Sequence, residues 1–242
     1  TFAVLFFSIA GIYLYNDWKE EQQRIAYQQE QEPIAKCKQY YEAKNYTEAS
    51  DWCHIAAAQG NADAQITLGW MYSEGLGVTQ DHQHAVQWFR KAAAQGDAGA
   101  QNNLGAMYAN GLGVTQDDQQ AVQWYRKAAE QGDATAQSNL GVMYDKGHGV
   151  PQDYQTAVKW YTLAAEQGYA PAQFNLGVMY AKGDGVIKDN VYAHMWGNIA
   201  ASNGNENGGK FRDALAKSMT PADISAAQKL ARECVRKKYK GC

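Results

Sequence analysis

The sequence predicts an all-α fold of stacked helical hairpins, preceded by an apolar N-terminal helix. Three observations predict it. Trp52, Trp88, Trp124, Trp160 and Trp196 recur every 36 residues, and Gly60, Gly96, Gly132, Gly168 and Gly204 keep the same interval. Four units starting at Ala62, Ala98, Ala134 and Ala170 repeat A-x-A-Q-x-x-L-G-x-M-Y, then G-x-G-V, an Asp, A-x-x-W and A-A. Phe2 to Tyr15 (FAVLFFSIAGIYLY) carries no charge. A period of this length marks an architecture in which each unit buries its apolar faces against its neighbours.

Composition narrows the function classes. Of 242 residues, 19% are charged and 12% aromatic, which excludes wholesale disorder. Four Cys are too few for a disulfide scaffold, and no C-x-x-C suggests a zinc site. A net charge of −3 argues against a nucleic-acid partner. The charge is uneven: Lys210 to Cys242 holds nine Lys/Arg and three Asp/Glu, and the remainder 13 and 22. This reads as a solvated basic helix end.

Residues 1–16 are expected to form a transmembrane or signal-anchor helix. Fourteen apolar residues rise about 21 Å, short of a hydrocarbon core of roughly 30 Å. The chain opens on Thr, so the span is expected to continue upstream. An uncleaved anchor is the favoured reading, and a cleaved signal peptide with Ser8-Ile9-Ala10 as its small-x-small site is the alternative. The acidic flank Asp17-Trp18-Lys19-Glu20-Glu21 places the body on the non-cytoplasmic side. Residues 17–32 read as a polar helical stalk, and 33–61 as a shorter capping hairpin that lacks G-x-G.

Residues 62–97, 98–133, 134–169 and 170–205 each read as two helices. The first places Ala64, Leu68, Met71 and Tyr72 on one face. Gly69, Gly105, Gly141 and Gly177 lie inside it, at a cost of about 1 kcal/mol against Ala, which makes sense if a neighbouring helix comes close there. Asp81, Asp117, Asp153 and Asp189 stand where the second helix needs an N-cap. That helix is expected to bury Ala85, Trp88 and Ala92 and to end at Gly96, with the Trp and Tyr columns in the core. All four prolines are expected in loops or first turns. In the cap at 206–242, a polar stretch to Gly209 precedes a short helix at about 210–217. Thr220-Pro221-Ala222-Asp223 then starts a last helix with Ile224, Ala227, Leu230, Ala231 and Cys234 on one face.

The motifs AQITLGWMY, AQNNLGAMY, AQSNLGVMY and AQFNLGVMY, with loops GLGVTQD (twice), GHGVPQD and GDGVIKD, resemble the Sel1-like repeat family, a tetratricopeptide-like group. The resemblance implies a right-handed α/α superhelical solenoid whose first helices line a concave face. It also implies adaptor or scaffold roles in protein complexes, often in the bacterial envelope.

Aligning Tyr41 with Tyr72 and Trp52 with Trp88 puts Cys37 at the Leu68 position and Cys53 at the Phe89 position, on facing helices of one hairpin. Cys234 and Cys242 form a second local pair. Both pairs are disulfide candidates in a non-cytoplasmic compartment, and four reduced thiols are the alternative. The resembled family also has a cysteine-rich branch with bridged hairpins.

No catalytic motif is found. H-E-x-x-H, G-x-S-x-G, the P-loop pattern and S-x-x-K are absent, and G-x-G-V follows a helix rather than a strand. No cofactor or metal is expected. His54, His82, His84, His148 and His194 read as solvated or capping. The candidate site is instead a groove on the first helices. Thr67, Asn103, Asn139 and Asn175 precede each L-G and form a ladder of polar side chains. Trp70, Ala106, Val142 and Val178 form an apolar stripe, with Ser73, Ala109, Asp145 and Ala181 beyond it. Such a groove suits a peptide or a partner helix; the alternative is that these Asn bond their own repeat loops.

The expected function is a non-enzymatic adaptor in a bacterial inner membrane, single-pass, with its repeats facing the periplasm. Its partner would be an integral membrane or periplasmic complex. A secreted protein after signal cleavage is the alternative location. The alternative functions are an accessory subunit attached mainly by its anchor helix, and an enzyme acting on cell-wall peptides or β-lactams.

Overall fold

A computed structural model of the chain describes the backbone of residues 2–242 and the side chains of residues 18–242 except 26 and 30. The described residues form helices and turns, with no strand. The order is α1 (Phe2–Glu42), α2 (Tyr46–Ala58), α3 (Ala62–Glu74), α4 (His82–Ala94), α5 (Ala98–Asn110), α6 (Asp118–Glu130), α7 (Ala134–Lys146), α8 (Tyr154–Ala165), α9 (Ala170–Lys182), α10 (Asn190–Ser202), α11 (Glu206–Ala216) and α12 (Pro221–Arg236). They group into two compact units, Thr1–Gln95 and Gly96–Cys242. Within each unit the helices pair as hairpins, and successive hairpins pack on one another.

Each helix end is written in the sequence. Asp81, Asp117, Asp153 and Asp189 cap the second helices, each carboxylate accepting from a backbone N–H of the first turn. Asn61, Asp97 and Asp133 do the same for first helices, a set of caps that sequence reasoning missed. Tyr169 has no side-chain cap, and Pro171 starts α9 instead. The first glycine of each G-x-G loop ends its helix left-handed, with φ of 66° to 82° at Gly75, Gly111, Gly147 and Gly183. The Thr220–Asp223 capping box opens α12.

The glycines inside the first helices are where the hairpins close. A β-carbon on Gly69 would meet the Phe89 ring, and on Gly105 or Gly141 it would lie 2.7 Å from the ring of Tyr125 or Tyr161. The expected close approach is there, and the group that uses it is an aromatic side chain. This revises the expected core. Phe89, Tyr125 and Tyr161 are buried, whereas Trp52, Trp88, Trp124 and Trp160, one position earlier, are only half-buried. One residue is a 100° turn of the helix, so the Trp rings lie at the edge of the core. The ammonium groups of Lys36, Lys91 and Lys127 stand 4.0, 4.0 and 4.3 Å over Trp52, Trp88 and Trp124. Trp196 alone of the column is fully buried. The Tyr column at 72, 108, 144 and 180 is likewise half-buried.

Two further expectations are corrected. Pro33 lies inside α1 rather than in a loop, and α1 runs unbroken from the N-terminal segment through the stalk into the first hairpin. A single lost backbone bond at proline does not stop a helix whose C-terminal part is packed on α2. The polar stretch up to Gly209 is also helical from Glu206, because Gly208 lets α11 press onto α10, where a β-carbon would lie 2.8 Å from Ala200 Cβ. Residues 1–16, expected as a membrane span or cleavable signal, have side chains outside the described residues. Among the described residues no helix is long and apolar enough to cross a membrane.

Both disulfides are formed. Cys37–Cys53 joins α1 to α2 inside the core of the first unit, and Cys234–Cys242 ties residues beyond α12 back to its last turn. Ala227, Ala231 and Cys234 pack α12 onto α10, with Ile224 and Leu230 half-buried.

Candidate functional site

The hairpins are tied by polar clips that hold the first helices in register. Gln65, Gln137 and Gln173 are buried, and each donates from Nε2 to a carbonyl eight residues back, those of Ala57, Ala129 and Ala165, at 3.1 Å. The Oε1 atoms of Gln65, Gln101 and Gln137 accept from Gln95, Gln131 and Gln167 at 2.8 Å, and that of Gln173 from Asn203 at 2.9 Å. Buried amides are thereby satisfied at both ends. A second clip joins the other side: Arg126 donates to the Tyr144 hydroxyl at 2.8 Å. In the first unit His54 takes that place. Its Nδ1 donates to the Ser50 carbonyl at 2.8 Å, so Nε2 accepts from the Tyr72 hydroxyl at 3.1 Å. The signal for the Gln clip was the repeated Q of A-x-A-Q and of A-A-x-Q-G.

Against that frame the proposed groove residues fall into four groups. Val142, Asp145, Asn175 and Val178 meet in one open depression of about 260 Å³, with Lys146, Tyr161, Phe174, Met179 and Lys182. Asn139 and Ala109 line the adjoining depression one repeat earlier, which shares Val142 and also holds Asn110, Gln116, Asp118, Tyr125 and His148. Asn103 and Ala106 are half-buried on α5. In the first unit, the Thr67 hydroxyl donates to its own helix at the Asp63 carbonyl, 2.8 Å away. Trp70 is exposed and meets Phe89 edge-on, with ring centroids 5.9 Å apart. The polar ladder is therefore uneven. Asn139 donates to Asn102 Oδ1 of the preceding repeat at 3.0 Å rather than to its own loop.

Each depression contains a buried phenol, Tyr161 in the first and Tyr125 in the second. Burial, with the Asp118 carboxylate adding to it, pushes the Tyr125 phenol up to about 12; burial also raises Tyr161 well above its ordinary range. Both stay protonated and can donate or pack, not abstract a proton. Asp145 and Lys146 neutralise each other at 2.9 Å on the rim, and the Asp145 carboxylate raises the lysine. Lys182 stands 3.9 Å from Asp184. The surface thus offers apolar side chains beside the Asn139 and Asn175 amides and, in the first depression, paired charges, an arrangement suited to binding another chain.

The histidines divide. His84 is the capping one: its Nδ1 lies 2.7 Å from Asp81 Oδ2, and its ring stacks on Tyr72. Its hydrogen bond holds the Asp81 carboxyl below the usual range. His148 is exposed beside the second depression. His54 is engaged in the clip just described, and His194, expected to be solvated, is buried. Among the described residues no group of three or more His, Cys, Asp or Glu side chains could hold a metal ion.

Comparison with known proteins gives the arrangement a family. The Sel1 repeat matches residues 36–61, 62–97, 98–133, 134–169 and 170–205. A solved structure described as a protective antigen of uropathogenic Escherichia coli strains, displaying an SLR fold, is 38% identical with a TM-score of 0.75; the match covers 79% of this chain and 42% of that one. The chain therefore spans less than half the length of that relative. A Sel1 repeat protein from Oxalobacter formigenes is 35% identical with a TM-score of 0.71, over 84% of this chain and 88% of that one. An immunity protein from Pseudomonas aeruginosa, 19% identical with a TM-score of 0.55 over 84% and 83% of the two chains, shares the fold. No curated protein matches the chain. Five successive matches covering most of the sequence, on helical hairpins of which the inner three are closed by glycine and aromatic pairs, show that this chain belongs to the Sel1 repeat family.

Proposed function

We propose that the chain is a non-enzymatic adaptor that binds a peptide segment or helix of a protein partner across the first-helix face of its second unit. The observation that carries this reading is the depression where Val142, Asp145, Asn175 and Val178 converge over Phe174 and Met179. Its apolar side chains, with the Asn175 amide and the charges of Asp145, Lys146 and Lys182 beside them, match the needs of a bound main chain with alternating side chains. Two disulfides support an oxidising compartment, and the uncharged segment at residues 1–16 supports a membrane anchor that keeps the repeats on the periplasmic side.

The test is a comparison of the native chain with an Asn103→Ala, Asn139→Ala, Asn175→Ala variant, each recovered in mild detergent and examined by mass spectrometry. The native chain is expected to retain a protein that the variant loses, while both melt within a few degrees of each other. Recovery of the native chain only as a lone monomer contradicts the proposal.

A second reading has its own observation. Trp18 and Tyr27 are exposed on α1 at 59% and 64%, ahead of the part that packs on α2. An accessory subunit attached through α1 would keep its partner in the triple Asn variant and lose it on Trp18→Glu with Tyr27→Glu.

A further inference from the structure

The two disulfides sit in opposite surroundings. Cys37 and Cys53 are buried at 3% and 0% exposure between α1 and α2, where Leu68 and Met71 join the same core. Cys234 is buried on α12, but Cys242 is only half-buried, at the end of a segment whose Lys237, Lys238, Lys240 and Gly241 are all exposed. An attacking sulfur needs access along the bridge, and only the second bridge offers it.

Residues 237–242 form a strap whose first part is wound onto the end of α12, with the N–H groups of Lys237, Lys238 and Tyr239 donating to the carbonyls of Glu233, Val235 and Cys234 at 2.9–3.0 Å and Tyr239 packed against the core. Its side-chain ties to other helices are few. Tyr239 donates its hydroxyl to Asn203 Oδ1 at 3.1 Å. The Gly241 N–H donates to Glu166 Oε1 at 2.9 Å, and Lys240 Nζ lies 3.6 Å from Glu166 Oε2. These contacts are at the surface, where each adds little against water. Against them stand Lys238 and Tyr239, consecutive residues with φ of 53° and 66°, a left-handed conformation that side chains with a β-carbon avoid. Cross-linking at Cys242 supplies the closure that the weak contacts do not. Arg236, Lys237, Lys238 and Lys240 lie within six residues of a bridge cysteine and outnumber the acids Glu233 and Glu166 there, a balance that favours approach of a thiolate.

We infer that Cys234–Cys242 is a thiol–disulfide exchange site for a dithiol reductant, and that its opening frees the strap while Cys37–Cys53 stays closed. One thiolate of the dithiol attacks the Cys242 sulfur, forming a mixed disulfide and expelling Cys234 as a thiolate. The second thiolate of the reductant attacks its own partner sulfur, releasing Cys242 as a thiolate. The reductant leaves as a cyclic disulfide, its two electrons now on the two cysteines, which take up protons from solvent. Release of the strap frees the Glu166 carboxylate and Asn203 Oδ1 and removes Gly241 and Cys242 from a depression that they line with Tyr192, Met195 and Leu230.

The probe is dithiothreitol added to the folded chain, with timed alkylation and peptide mapping. Cys234 and Cys242 are expected to label at least about tenfold faster than Cys37 and Cys53, with helical circular dichroism unchanged. Trypsin is then expected to clip the strap at its lysines. Equal labelling rates, earlier opening of Cys37–Cys53, or opening of Cys234–Cys242 only in denaturant each overturn the inference. A Cys242→Ser variant tests the strap separately: it should be folded and clipped without reductant, and a protected strap in this variant also overturns the inference.

Discussion

The inner hairpins and the end hairpins close by different means. In α3–α4, α5–α6 and α7–α8 a glycine on the first helix receives an aromatic ring from the second: Gly69 with Phe89, Gly105 with Tyr125, Gly141 with Tyr161. In the first hairpin the positions of Leu68 and Phe89 are held by Cys37 and Cys53, and a covalent bond replaces the ring. In the last hairpin the aromatic position is Gly197, and Phe211 of α11 reaches in beside Gly177, 3.3 Å from where its β-carbon would be. A hairpin inside a repeat array is braced by neighbours, and one at an end needs another source of closure. One end uses a cross-link and the other borrows a side chain from the next helix.

If the cross-link substitutes for packing, losing it should be the costliest change. Cys37→Ser with Cys53→Ser opens a loop of 16 residues and is expected to cost about 3 kcal/mol in urea unfolding. Cys234→Ser with Cys242→Ser opens a separation of 8 and should cost less. The opposite order would break the comparison. Phe211→Ala comes next, at about 2 kcal/mol, because the ring is half-buried and its loss leaves Gly177 and Gly197 facing a void. A loss below about 0.5 kcal/mol would show that Phe211 does not stand in for the missing aromatic.

The glycines themselves sharpen the same point. Alanine gains about 1 kcal/mol over glycine in a helix, while forcing a methyl group into a filled core costs about 1–3 kcal/mol. At Gly141 the new carbon would sit 2.7 Å from a buried ring, so Gly141→Ala should destabilise by about 1–2 kcal/mol. At Gly177 the nearest atoms are 3.2–3.3 Å away, so Gly177→Ala should fall within about 0.5 kcal/mol of neutral. Chemical denaturation of the two variants side by side checks the difference.

These particulars mark how much was legible. The hairpins, the Asp caps, the Thr220 box and both Cys pairs follow from spacing, because each depends on residues close in sequence or on a repeat laid over itself. Period alone did not say which member of W-F or W-Y turns inward: both recur together, and the choice depends on helix rotation. The Gln clips were hidden for another reason, since Gln65 and Gln95 are 30 residues apart and meet only when hairpins stack. Pro33 misled because its cost is local while the packing that carries α1 past it is not. Of the groove residues, Val142, Asp145, Asn175 and Val178 do share a surface, but the turn of Thr67 onto its own helix is a side-chain choice that sequence leaves open.

The smallest expected effect tests the borrowed end through acid. His194 is buried on α10 with Nδ1 unpartnered, and the charged groups facing it are Arg212 and Asp213 of α11. Burial lowers its pKa, Arg212 lowers it further and Asp213 opposes them. The folded chain therefore keeps the ring neutral at a pH where the unfolded chain, near its ordinary 6.5, has begun to bind a proton. The unfolded state takes up more protons as pH falls, so this residue's contribution is present above about pH 7 and is lost on going down through 6.5 and below. His194→Gln should flatten the stability profile between pH 7.5 and 5.5 in urea titrations. Because the protonated ring would face Arg212, Phe211 should loosen from its place beside Gly177 over the same interval. A profile in the native chain that rises on acidification would show that α11 is not held by the neutral form of His194.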